Sequence, residues 1–330
     1  MIVSQTPLRV SLFGGGTDLP DYYAAHGGAV LSLAVRRYVH VVVKPRWEGD
    51  IVLHHWSYER ATRVADLEHG IIRECLRESG ITGGVEITCL ADVPAGGSGL
   101  GASSALTVGL LHALFTLTGR DTTPAELAEL ASHIEIDVLG EPIGKQDQYA
   151  AAFGGCAEYR FHPDGRVAVD PVGLPAHAER EFLRHAVVLY TGRTRRAAEI
   201  LDDQRAAIPT TVEHLHTLKA HVTTGRALLH AGRIAELGAL LHGAWEVKKR
   251  LSSRIHDDAL DAVYRRARLA GAFGGKLLGA GGGGFFLFLC PPERQDRLRA
   301  ALDGLRELPL SIDGAGSTIL VNTLARPAAA

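Results

Sequence analysis

The stretch Pro94-Ala-Gly-Gly-Ser-Gly-Leu-Gly-Ala-Ser-Ser-Ala105 decides the reading of this 330-residue chain. It follows a strand-like run over 85–93 and opens a helical run over 103–118, with four glycines within six residues between them. In such a connection successive backbone N–H groups can turn toward one anion, and the helix dipole favours negative charge at the same point. The stretch reads as a phosphate cradle. A Walker loop would need Lys after its last glycine; here Ala102 follows Gly101, so the cradle is of another kind.

Two more glycine-rich blocks lie on either side of it. From Arg9 the chain runs RVSLFGGGTDLPDYYAAHGG, a short apolar strand entering Gly14-Gly15-Gly16 and then a helix expected over 18–25, which Thr17 or Asp18 can cap. As a dinucleotide fingerprint the block fails, because Leu19 stands where the third glycine belongs and no βαβ unit starts here. The other block, 274–284, carries Lys276 and leads into FFLFL, a buried strand.

Between these blocks, β-branched density predicts strands over 30–35, 38–46 and 51–56, read as antiparallel neighbours. Adjacent strand residues face opposite ways, so at most one of His54 and His55 can serve a given site. A surface helix is expected over 66–79. Thr123-Pro124-Ala125-Glu126 has capping-box spacing and starts a helix to about 138; Gly140-Glu141-Pro142 ends it, and a new segment begins at Ile143. A hairpin is expected over 156–169 around Pro163-Asp164-Gly165, a boundary between two halves at 170–175, and a strand over 185–191. Helices over 211–231, 234–251, 258–270 and 293–302 and a strand over 318–322 complete the chain.

Composition narrows the function classes. With 46% hydrophobic and 22% charged residues the chain reads as a soluble globular protein, and a formal net charge of −2 provides no basic field for nucleic acid. The near-apolar run 277–290 has 14 residues, five of them glycine, too short to cross a bilayer; the start MIVSQTPLRV has no secretory pattern. Cys75, Cys89, Cys156 and Cys290 form no CxxC pair and have no histidine at metal-ligand spacing, so neither a disulfide framework nor a zinc site is expected. No membrane partner is expected, and a reducing cytoplasm is the default location.

Three blocks, Pro7-Leu8-Arg9 through Asp18, Pro94 through Ala105, and Lys276 through Gly284, resemble in order and separation the three motifs of the GHMP kinases, the superfamily of galactokinase, homoserine kinase, mevalonate kinase and phosphomevalonate kinase. The resemblance spans nearly the whole chain. It implies an α/β (α+β) fold in two parts with mixed and antiparallel sheets and packed helices: an N-terminal, ATP-binding domain over 1–175, a C-terminal domain over 176–330, and the active site in the cleft between them.

The resemblance also assigns roles. ATP phosphates would lie along Pro94, Gly96, Gly97, Ser98, Gly99, Leu100, Gly101, Ala102, Ser103 and Ser104. Ser104 and Glu135 would hold Mg²⁺, which usually keeps several waters and takes only one or two carboxylates. Asp147 would orient or deprotonate the acceptor hydroxyl, and Arg9 would keep Asp147 ionised or stabilise developing charge. On residue type alone, Glu135 also reads as a solvated helix face and Asp147 as a helix cap.

For the acceptor, galactokinases have GEHTD where this chain has Gly14-Gly15-Gly16-Thr17-Asp18, so two sugar-reading side chains are replaced by glycine. LRVSLFGGGTDLPDYY, GEPIGKQDQYAAAFGG and LYTGRTR together resemble the branch that phosphorylates D-glycero-D-manno-heptose 7-phosphate, with the kinase part of fucokinase near it. That implies a small-molecule sugar phosphate as partner, phosphorylated at its anomeric hydroxyl. Gly15, Gly16, Thr17, Asp18, Lys145, Arg195, Gly281 and Gly282 would surround it. Of Arg193, Arg195 and Arg196, Arg195 matches the TGxTR run and would hold the substrate phosphate, with Lys145 and Arg36 as further candidates. Two alternatives stay open: a fucokinase-like enzyme acting on an unphosphorylated sugar, and a non-catalytic sugar- or ATP-binding regulator.

Overall fold

The β-branched start of the chain forms two long strands, β1 (Ile2–Phe13) and β2 (Gly28–Pro45), joined by a glycine turn and the short helix α1 (Pro20–His26) in a computed structural model that describes residues 1–94, 97–194 and 197–324. They pair antiparallel, Ile2 opposite Val43 and Ser11 opposite Ser32. The strands expected at 30–35 and 38–46 are therefore one. Pro7 faces Tyr38 but Leu8 faces Val35, so the interruption at Arg36 and Arg37 is a bulge, not a turn. Helix α1 begins at Pro20 with Leu19 at its cap position, so neither Thr17 nor Asp18 caps it.

Strands β3 (Ile51–His54) and β4 (Tyr58–Ala61) are followed by α2 (Gly70–Glu78) and β5 (Val85–Ala91). The adjacency expected for 38–46 and 51–56 is corrected here. Strand β5 lies between them, antiparallel to β2 and parallel to β3, because a helical crossover returns the chain in the same direction.

The glycine loop then opens α3 (Ala102–Thr118), whose residues from Ser104 to Leu111 are all buried. Helix α4 (Pro124–Ser132) starts with the expected capping box, Thr123 and Glu126 each bonding the other's backbone, and runs into a wide π-type turn, His133–Val138. Helix α5 (Gln146–Phe153) and the hairpin β6 (Cys156–Phe161) and β7 (Val167–Pro171) follow, β6 pairing with the first part of β2.

Helix α6 (Ala176–His185) follows directly on the segment expected only as a boundary. Then come β8 (Ala186–Tyr190), the long α7 (Ala197–His230), α8 (Ile234–Lys248), α9 (Asp258–Ala270), β9 (Gly274–Leu277), β10 (Phe285–Leu289), α10 (Gln295–Ala301), β11 (Arg306–Glu307) and β12 (Thr318–Asn322). Helix α7 carries Pro209 inside it and starts well before the expected 211.

Among the described residues there are two sheets. A mixed eight-stranded sheet runs β12-β1-β2-β5-β3-β4 with β6 and β7 continuing from β2; an antiparallel four-stranded sheet runs β11-β8-β10-β9. This is the α/β architecture with mixed and antiparallel sheets that the sequence implies. Strand β10 is buried throughout; its Phe286 and Phe288 stack on each other, both meet Tyr264 at a tilt, and Phe286 meets Trp245 edge-on. Among the described residues no helix is long and apolar enough to cross a membrane.

Candidate active site

The two glycine runs, distant in sequence, touch backbone to backbone. A Cβ on Gly99 would sit 2.6 Å from the Leu278 carbonyl oxygen, and one on Gly279 would sit 2.4 Å from Gly99 Cα. Only glycine lets the loop before α3 and the loop after β9 approach this closely. Arg9, in the middle of β1, anchors the contact. Its main-chain N–H donates to the Leu100 carbonyl at 3.0 Å and its Nη1 to the Gly99 carbonyl at 2.6 Å.

The other two nitrogens of the guanidinium fork meet Asp147. Arg9 Nε donates to Oδ1 and Nη2 to Oδ2, both at 2.7 Å, with the arginine side chain 5% and the aspartate 21% exposed. Asp147 lies in the first turn of α5 and pairs with Arg9 across the cleft; the cap position is Lys145. The bidentate geometry fixes the carboxylate plane and leaves its outer lone pairs toward the cleft.

One cleft gathers most of the expected site. It is lined by Arg9, Gly15, Gly16, Asp18, Gly97, Ser98, Gly99, Gly101, Ala102, Ser103, Ser104 and Asp147, and closed from the C-terminal side by Ala197, Leu201, Gln204, Lys248, Lys276 and Gly279. The residues before and at the start of α3 thus line the same space as the Arg9–Asp147 pair. This is an arrangement that can hold a polyphosphate and present a hydroxyl to its end.

Asp18 is buried and held by the Gly16 N–H at 2.9 Å and by Gln146 Nε2 at 3.0 Å. Burial, and next the nearby Asp147 charge, push its carboxyl above the usual range. Glu135 does not line the cleft but sits behind Ser104, fully buried in the π-type turn, a distortion often found at functional positions. It accepts from Gln148 Nε2 at 2.6 Å and from the Ser104 hydroxyl; burial pushes its carboxyl up to about 7. Gln148 Oε1 is buried and makes no hydrogen bond among the described residues. A buried carboxylate, a hydroxyl and a spare amide oxygen make an all-oxygen set that fits a hard divalent cation.

Several expected residues lie elsewhere. Pro94 is exposed away from this cleft, and Leu100 is buried beneath the loop. Thr17 ties the turn together, its hydroxyl donating to the Gly14 and Ala29 carbonyls at 2.8 and 2.9 Å. Lys145 turns outward to Glu129 at 3.0 Å and the Gly165 carbonyl at 3.1 Å. Gly281 and Gly282 pack against Ile255. Arg193 pairs with Asp257 at 2.7 Å, and Arg36 lies in the β2 bulge, outside the cleft lining. Gly96, Arg195 and Arg196 lie outside the described residues.

Sequence reasoning gave no role to two lysines that are buried at the cleft, Lys276 and Lys248. Lys276 Nζ donates to the Leu12 carbonyl at 3.0 Å, and burial, with Arg9 nearby, lowers its pKa to about 7. Lys248 Nζ donates to the Leu277 carbonyl at 3.1 Å and to that of Gly279. A lone charge inside the glycine-rich, apolar run 274–290 was a signal for Lys276; Lys248 sits in an ordinary helical pattern and carried none.

The chain compares well with known proteins. The model described as GHMP kinases N terminal domain matches residues 66–155, and the one described as GHMP kinases C terminal matches 226–307. The D-glycero-alpha-D-manno-heptose 7-phosphate kinase of Campylobacter jejuni is 31% identical over 91% of this chain and 93% of its own. The L-fucokinase/L-fucose-1-P guanylyltransferase of Bacteroides fragilis is 27% identical over 92% of this chain and 36% of its own. A crystal structure described as a D-glycero-D-manno-heptose 1-phosphate kinase from Bacteroides thetaiotaomicron superimposes with a TM-score of 0.83 at 26% identity, covering 98% of this chain and 100% of the other.

Proposed function

The chain belongs to the GHMP kinases, as an ATP-dependent enzyme that phosphorylates a sugar hydroxyl, and from that premise we propose that its acceptor is D-glycero-D-manno-heptose 7-phosphate, converted at the anomeric hydroxyl to the 1,7-bisphosphate. The similarity to the Campylobacter jejuni heptose 7-phosphate kinase carries the choice of acceptor, and the Arg9–Asp147 fork at the meeting of the two glycine runs supports the phosphoryl transfer. The anomeric oxygen attacks the γ-phosphorus, ADP leaves, and the hydroxyl proton passes to Asp147. Transfer through a loose transition state asks mainly for placement and charge stabilisation. A carboxylate already paired with arginine suits the task of orienting the hydroxyl and accepting its proton late.

In this reading Gly97, Ser98, Gly99, Gly101, Ala102, Ser103 and Ser104 receive the ATP phosphates and Asp18 holds sugar hydroxyls. Ser104 and Glu135 would hold Mg²⁺, which neutralises charge on the phosphates when bound. We assign the two parts of the molecule to about 1–175 and 176–330, with β12 returning to pair with β1. ATP as co-substrate and four free thiols support a cytoplasmic setting.

The test is kcat/KM with ATP for heptose 7-phosphate, the same heptose without its phosphate, fucose and mannose. Heptose 7-phosphate is expected to be preferred. Equal use of the two heptoses would replace the phosphorylated acceptor with a free sugar.

A further inference from the structure

Resting on the sugar-kinase reading of this same cleft, we propose that Ser11 and Gln146 choose the acceptor: the serine hydroxyl and the glutamine carbonyl bind two neighbouring sugar hydroxyls in the space over Gly15, with Asp18 fixed beside them.

Two observations meet at one place. Ser11 Oγ and Gln146 Oε1 are buried and make no hydrogen bond among the described residues, although both side chains line the cleft. Buried polar atoms are nearly always paired, so two orphans at one cleft wall mark a partner outside the chain. Gly15 defines the space between them. A Cβ there would lie 3.6 Å from Ser11 Oγ and 3.7 Å from Gln146 Nε2, ordinary contact distances, so the bare Gly15 backbone sits against both side chains at the cleft wall.

The chemistry of the wall selects the occupant. Gln146 Nε2 donates to Asp18 Oδ2 at 3.0 Å, which sets the amide's orientation, since the reverse flip would bring a carbonyl against a carboxylate. Oε1 is therefore a pure acceptor directed elsewhere. Asp18 adds carboxylate lone pairs, and Ser11 can donate or accept. An array of two acceptors and one hydroxyl matches ligand O–H groups and repels a phosphate. Hydroxyl-bearing carbons next to the reacting centre thus belong at Gly15, and any phosphate of the acceptor lies away from it. Asp147 follows Gln146 in the first turn of α5, so the helix that orients the reacting hydroxyl also carries the group that reads its neighbour.

The test is a cycle of variants against monodeoxy sugars, run on whichever sugar the wild type uses best, so that a wrong heptose assignment shows up separately as a changed wild-type preference. Ser11→Ala removes one oxygen and Gln146→Met keeps the length without the amide. Each is expected to lower kcat/KM for the acceptor roughly 10- to 100-fold with KM for ATP unchanged. One deoxy sugar should lose the same factor with wild type and nothing further with the matching variant. Ser11→Ala should keep or raise Tm, because it deletes an unpaired buried hydroxyl. Additive losses for every deoxy position, a parallel rise in KM for ATP, or full activity of Ser11→Ala would overturn the proposal; the serine variant decides even if Gln146→Met fails to fold.

Discussion

The two walls of the cleft are built from opposite materials. The wall at the start of α3 is backbone: glycines of two distant loops interlock, and Arg9 closes the seam with hydrogen bonds to both Gly99 and Asp147. The wall around Gly15 is side chain: Asp18 held by Gln146, with Ser11 Oγ and Gln146 Oε1 making no hydrogen bond among the described residues. Backbone N–H groups bind any phosphate alike, so the first wall can be common to kinases of many acceptors. Side chains distinguish hydroxyls, so the second can change the acceptor without disturbing the first.

The largest effect is expected where the walls meet. Asp147→Asn keeps the shape and removes the proton acceptor, and should lower kcat about 10²- to 10⁴-fold with KM for ATP nearly unchanged. Steady-state kinetics at saturating ATP check this; wild-type turnover would remove Asp147 from the chemistry. Next comes the seam itself. Gly99→Ala puts a methyl against the Leu278 carbonyl at a φ of +80°, with strain of about 1–3 kcal/mol expected from the backbone alone. Chemical denaturation should show that loss, and kinetics a raised KM for ATP while the ranking of sugars stays as in wild type. A changed ranking would mean that the walls are not separable.

A smaller effect is expected at the wall's outer layer. Glu135→Gln should raise the Mg²⁺ concentration needed for half-maximal rate several-fold and leave sugar KM alone, read from a magnesium titration at fixed ATP. The last effect is read on stability and pH, with little change in turnover expected. Lys276 has its pKa lowered from 10.5 to about 7 by burial, so the folded state holds its proton less firmly than the unfolded chain. Its contribution to stability is present at pH above about 10.5 and is lost as pH falls through about 7. Wild type should therefore gain Tm between pH 7 and 10 relative to Lys276→Met, and the variant should be the more stable of the two at pH 6. Parallel melting curves across that range would mean that Lys276 is not buried as a strained charge.

Much of the backbone wall was legible in the sequence. Strand, glycine loop and helix start follow one another within a single local stretch, and local chemistry fixes them: glycine for close approach, small hydroxyl residues at the head of α3, a capping box at Thr123 that formed as its spacing requires. The acceptor wall was legible only in part. Asp18 was noticed, but capping was an equally good local explanation for it, and only the start of α1 at Pro20 removes that explanation. Lys145 was a candidate for the substrate phosphate as a cation, yet its ammonium is taken by Glu129 and the Gly165 carbonyl.

Readable in the sequence were the strand, glycine loop and helix start around 94–105, the order of the three glycine blocks, most helices and strands, and the pairing of Arg9 with Asp147 that the family resemblance implied. Each depends on residues close in the chain or on a motif whose spacing is its signal. Tertiary structure alone decided which glycines meet, why β3 runs parallel to β5, that Lys248 and Lys276 close the cleft, and that Ser11 and Gln146 are left facing Gly15. The physical reason is range. A close contact between residues 180 positions apart, such as Gly99 and Gly279, has no local cost or preference to write itself into composition, periodicity or spacing, and it exists only once packing has brought the two segments together.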